Sequence, residues 1–193
     1  GTNATNNTLF GYQAGLAITD GDGNICLGYQ AAKSITTSVK NVAIGKNALQ
    51  GVQTGYGNNI AIGERSLYSC GSSVNNLIAI GYEALKSHTS SSDSIAIGRD
   101  ALETSTSGSN IGIGLEAGNL IAGGAKNTIL GYRAFKVATS ANNSCAIGFE
   151  ALFSNTIGQS NHAFGFEALH DVTEGSYNVA VGRKAGDDLT TGD

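Results

Sequence analysis

Glu83, Asp100 and Glu116 each stand two residues after a glycine in successive copies of a repeated pattern. Stacked side by side, they would resemble the paired carboxyl groups of a glycoside hydrolase, one protonated to donate to the leaving oxygen and one ionised. The same file continues, however, with Gln13, Gln30, Asn47, Arg65, Arg133, Glu150, Glu167 and Lys184. Charges of both signs in one ladder offset each other at modest energies and read as a solvated face. No enzyme activity is therefore expected, and the chain contains no spaced Cys/His quartet, phosphate-binding Gly-Lys-Ser/Thr loop or nucleophile elbow.

Other side chains could bind rather than react. Tyr12, Tyr29, Tyr82, Tyr132, Phe149 and Phe166 directly follow the repeat glycine. An exposed aromatic file of this kind could stack on sugar rings, which would make the chain a carbohydrate-binding module, although packing against neighbouring coils or subunits accounts for it more simply. His162 occupies a file otherwise filled by Ile, Val, Thr or Cys, and imidazoles from several copies of the chain could meet around an ion. Apart from that candidate, neither metal nor cofactor is expected. Asp20-Gly21-Asp22-Gly23-Asn24 hints at a calcium loop but lacks the downstream Glu of an EF-hand. His88 and His170 fall in or beside connectors and read as solvated. The threonines sit irregularly in those connectors, so the flat Thr array of an ice-binding solenoid is not expected.

What must position these residues is a period. The pattern apolar-small-apolar-Gly-x-polar-Ala recurs eleven times, with glycines at Gly11, Gly28, Gly45, Gly63, Gly81, Gly98, Gly114, Gly131, Gly148, Gly165 and Gly182, in steps of 16 to 18 residues. Such regularity means stacked units sharing one continuous core. The whole span 1–193 reads as a single repeat array.

Before each glycine the chain alternates, as in Val42-Ala43-Ile44 and Ile60-Ala61-Ile62. Residues two apart share a strand face, and the β-branched pair is expected to point into the core. The small residue between them would form a smooth outer face, and alanine recurring there points to contact with a second surface, most simply another copy of the chain. After the glycine corner, the polar-Ala-Leu segment is expected to form a second short core-facing strand. Helices are excluded, because each apolar run is short and fenced by Gly and β-branched residues.

Asn7, Asn24, Asn41, Asn59, Asn110, Asn127, Asn161 and Asn178 stand four residues before the glycine. Stacked asparagines can hydrogen-bond as a ladder and satisfy turn backbone. Eleven coils spaced at about 4.8 Å would make a rod about 50 Å long. The expected fold is thus all-β, a parallel β-solenoid or β-roll of about eleven 17-residue coils.

Composition agrees with a structural array. The chain has 28 glycines, no Pro, Trp or Met, 13% charged residues and 40% apolar residues. Its net charge of −4, with basic residues scattered, argues against nucleic acid as a partner. No apolar run is long enough for a membrane helix, and no membrane insertion is expected. Cys26, Cys70 and Cys145 occupy different phases far apart and are expected to be free. The absence of methionine implies that Gly1 is not a translational start and that the chain is an excised or processed piece.

Asn41-Val42-Ala43-Ile44-Gly45 and Asn59-Ile60-Ala61-Ile62-Gly63 resemble the head repeats of trimeric autotransporter adhesins. Leu9-Phe10-Gly11-Tyr12-Gln13-Ala14-Gly15, the run Ile78 to Leu85 and the connector Ser154-Asn155-Thr156 are similar to the 17-residue repeats of bacteriophage tail fibres. The resemblance implies left-handed coils assembled as a homotrimer, a shaft that positions a receptor-binding region, and a place in a virion tail fibre or on a cell surface. A host surface glycan or receptor would be the further partner. Fibres of that kind often end in a self-cleaving chaperone domain, and no such domain is present in this sequence.

Overall fold

A computed structural model describes residues 4–51, 54, 57–72, 74–89 and 93–192. It is an all-β parallel solenoid in which eleven three-residue strands are joined by about ten turns of 17-residue coil. The strands run from β1 (Thr8–Phe10) through β5 (Ile78–Ile80), β9 (Cys145–Ile147) and β10 (His162–Phe164) to β11 (Val179–Val181). They form one sheet in strict sequence order, every pair parallel and in step, so that Ala79 faces Ala96 and Ala146 faces Ala163. Like therefore stacks on like, and each sequence file becomes a physical row along the axis.

The two faces of this sheet are opposite to the sequence expectation. Ala43, Ala61, Ala79, Ala96, Ala146 and Ala163 are wholly buried, whereas the β-branched residues flanking them are half-buried or exposed. The smooth alanine face is the inner wall, and the Ile/Val face looks outward. Volume explains the reversal. The opposite wall supplies the large side chains, with Leu49, Leu67, Leu85, Leu102, Phe135 and Leu152 all fully buried four residues after their glycines. A 17-residue coil encloses too little space for large side chains on both walls.

Where one wall swells, the other shrinks. A Cβ built at Gly112, in the middle of its strand, would lie 2.7 Å from Leu102 Cγ. At Gly118, which replaces the usual Leu of the turn, a Cβ would lie 2.8 Å from Ile129 Cδ1, an inward strand residue far larger than alanine. The same exchange pairs Gly15 with Leu9.

The segment after the glycine is a tight turn rather than the expected second strand. Alternate residues take left-handed φ, as at Glu83 (53°), Leu85 (49°), Asp100 (57°) and Leu102 (50°). That conformation costs an L-residue roughly 1–2 kcal/mol. It persists because it folds Ala84 and Leu85 inward together while neighbouring coils still bond, as in Leu85 N–H to the Ala101 carbonyl at 3.1 Å. At the preceding corner, a Cβ on Gly148 (φ 141°) would sit 2.2 Å from the Gly165 oxygen, so only glycine lets the coils stack.

Asparagines line the other end of the strand. Asn24 donates through Nδ2 to Asn7 Oδ1 at 3.1 Å and Asn41 to Asn24 at 2.9 Å, followed by Asn59 to Asn41 at 3.1 Å. Each Oδ1 also accepts the next residue's backbone N–H, as Asn41 N–H to Asn24 Oδ1 at 3.0 Å. Leu77 then interrupts the side-chain ladder, although its N–H still reaches Asn59 Oδ1 at 3.1 Å. Beyond Ser94, the file resumes with Asn127 donating to Asn110 and Asn178 to Asn161, both at 3.1 Å.

Two connector readings change as well. His88 is fully buried, not solvated, and its Nδ1 lies 2.8 Å from the Ser105 carbonyl oxygen. Because a carbonyl only accepts, Nδ1 carries the hydrogen. His170 is half-buried against Phe153, with ring centroids 5.2 Å apart. The threonines, expected to be irregular, line up: Thr139, Thr156 and Thr173 each donate through Oγ1 to the next coil's threonine carbonyl at 3.0, 3.0 and 3.2 Å.

Candidate functional site

The carboxylate file folds into a seam of ion pairs. Glu83 takes Lys86 Nζ at 2.7 Å and also pairs with Arg65, while Lys86 reaches on to Glu103 at 3.0 Å. Glu116 is held between Lys136 Nζ at 2.7 Å and Arg133 Nε at 2.8 Å. Asp100 is met by its neighbour Arg99 at 3.0 Å, and Glu167 by Lys184 at 3.0 Å. Burial pushes the Glu83 carboxyl upward, but hydrogen bonding and charge from Lys86, with the charge of Arg65, outweigh it and hold the group below its ordinary range. The Lys136 hydrogen bond does the same for Glu116, with Arg133 assisting against burial.

General-acid catalysis needs a carboxyl group kept protonated near neutrality, whereas Glu83 and Glu116 are shifted the other way. Glu83, Asp100 and Glu103 do approach within 4.8 Å of one another, close enough to share a cation. Lys86 already bridges two of the three. The sequence trio is thus divided: Glu83 and Asp100 lie together with Glu103, which the sequence did not single out, while Glu116 belongs to a separate cluster.

The aromatic file stacks upon itself. Tyr132, Phe149 and Phe166 form a continuous pile with centroids 5.0 Å apart and rings within 9° of parallel. Arg183 covers Phe166 at 5.4 Å, and Tyr12 stacks on Tyr29 at 5.3 Å. Both faces of Phe149 are therefore occupied by neighbouring rings, leaving its edge toward solvent. Sugar stacking uses a ring face. Tyr82 stands apart from these piles and is exposed.

The most extensive feature is the outer sheet face. Most of the large apolar side chains exposed among the described residues lie in three files, the two outward strand positions and the residue after the glycine. Examples are Ile25, Ile97, Leu130, Tyr132, Phe164 and Val181. A run from Ile25 through Val42, Ile60, Ile78 and Ile95 to Ile111 is apolar without interruption, and the parallel file from Leu27 to Val181 is apolar throughout. Thr128, Cys145 and His162 then break the first file on three successive strands.

Comparison with protein-family models, with curated proteins and with solved structures finds no match to this chain. Function must therefore be argued from these surfaces. Sequence reasoning missed the outward face because it assigned the large residues to the interior. The signal was present in the paired exchanges Leu9/Gly15 and Ile129/Gly118, which link the middle strand position, not its neighbours, to the turn leucine.

Proposed function

We propose that this chain is one third of a homotrimeric β-solenoid shaft, with left-handed coils, that belongs to a phage tail fibre or a surface adhesin and holds a receptor-binding region away from the virion or cell. The observation that carries this reading is the apolar outer sheet face, which continues along the rod while the chain's own core lies entirely on the other side of the same strands. Apolar surface of this extent marks an interaction site. A straight face repeating every coil is matched best by another straight face with the same repeat, which a second copy of the chain supplies.

This reading puts the interface on the Ile/Val face, since the alanines, where the sequence suggests contact with another chain, line the core. The number three and the handedness come from the adhesin and tail-fibre repeats that the chain resembles. The mechanism is mechanical. In each chain a parallel ladder and stacked asparagines resist bending, and association covers the surface that a lone solenoid would expose.

Chemical cross-linking in dilute solution tests this proposal. The wild-type chain should give a triple-mass band, and Ile95→Lys with Ile78→Lys should abolish it by placing uncompensated charges in the apolar face. A cross-linked band unaffected by that double substitution would rule this face out as the interface.

A further inference from the structure

His162 and Cys145 are register partners on β10 and β9, both pointing outward and both half-buried. Adjacent parallel strands lie about 4.8 Å apart, so the imidazole and the thiol stand side by side. Among the described residues, neither ring nitrogen of His162 takes a hydrogen bond. Their file is otherwise β-branched from Ile25 to Ile111 and again at Val179, and the parallel file beside them keeps Ile147 and Phe164. A partner chain packed here would bury an imidazole and a thiol among apolar groups, which is costly unless their polar atoms are satisfied.

We propose that, in the trimer inferred above, His162 and Cys145 bind a divalent transition metal of the zinc class between the chains. The site rests on the trimeric reading, because one chain offers only two ligands and a stable site for such an ion takes about four. Three imidazoles, one from each chain, meet at the axis, and a Cys145 thiolate from the neighbouring layer supplies a fourth, soft ligand. Imidazole nitrogen with thiolate sulfur is the donor set that zinc and cobalt(II) prefer over the oxygen-seeking magnesium and calcium. On binding, the sulfur–hydrogen bond is replaced by a sulfur–metal bond and the proton leaves to solvent, so affinity falls as pH is lowered.

Cobalt(II) chloride titrated into the full chain at pH 7.5, with the mass measured on the same sample, provides the test. The expected result is a near-ultraviolet sulfur-to-cobalt charge-transfer band that saturates at one ion per three chains. His162→Val, which restores the apolar file and so preserves packing, should lose binding at least tenfold. Cys145→Ser should retain weaker binding without the band. A trimer that takes up no cobalt, or whose uptake is unchanged in His162→Val, would overturn the metal site while leaving the trimer standing. A monomeric mass would overturn both.

Discussion

The inner and outer faces of the eleven-stranded sheet differ sharply in residue size and burial, although they are built from alternating residues of the same three-residue strands. Inside, Ala61, Ala79 and Ala96 are fully buried against the turn leucines. Outside, Ile60, Ile62, Ile78 and Ile80 remain half-buried. The small residue is the buried one because the opposite wall already fills the coil. In the proposed assembly the sheet serves two cores, one within the chain and one between chains. Substitutions on the inner face should therefore act on folding, and those on the outer face on association.

The largest effect is expected inside. Leu85→Ala empties a fully buried position and should cost about 2–5 kcal/mol in denaturant unfolding. A loss near zero would mean that the turn wall is not the true core. Ala79→Leu tests the same wall from the strand side. Overpacking should cost about 1–3 kcal/mol, because the space it would enter is held by the turn leucines. A neutral outcome would break the contrast between the faces.

On the outer face, Ile78→Lys should change the stability of the dissociated chain by no more than about 0.5 kcal/mol, as for ordinary surface substitutions. It should nonetheless weaken association strongly, making thermal stability depend on protein concentration. Equal damage to folding and association would merge the two faces into one.

The smallest effect belongs to the polar seam. The Glu83 and Glu116 carboxyls are held below their ordinary range, so their contribution is present above the unfolded-state pKa and is lost as pH falls through the folded one. Melting temperature should drop as pH is lowered below about 4.5, and Glu83→Gln should flatten that slope slightly. An unchanged slope would remove Glu83 from the seam's contribution.

The period, the strand, the glycine corner and the asparagine file were legible in the sequence, since each is a strictly local pattern repeated at one spacing. Which strand face lies inside was legible only through the exchanges Leu9/Gly15 and Ile129/Gly118, because alternation itself is symmetric and the volume of the far wall breaks the tie. The left-handed alternation at Glu83 and Leu85 was hidden for a related reason: those residues normally avoid such φ, and stacking of the coils overrides the preference. Burial of His88 could not be read from a connector of serines and threonines. Its offset from Gly81 matches that of Ile35 from Gly28 and Ile121 from Gly114, both buried, and this was the available signal. The threonine file was visible in the same way, with Thr19, Thr36, Thr139, Thr156, Thr173 and Thr190 all eight residues after their glycines.

Among the candidate sites, the carboxylates were found but their role depends on partners that only folding assembles. Lys86 and Lys136 lie three residues beyond Glu83 and Arg133, and the turn carries each back to a carboxylate.

The outer face as a chain-to-chain interface is tested most directly by the mass of the wild-type protein in solution, measured by light scattering over a dilution series. Each chain has a mass of 19.6 kDa, and the expected result is a particle three times as heavy that persists on dilution. A stable particle of 19.6 kDa throughout the series would contradict it.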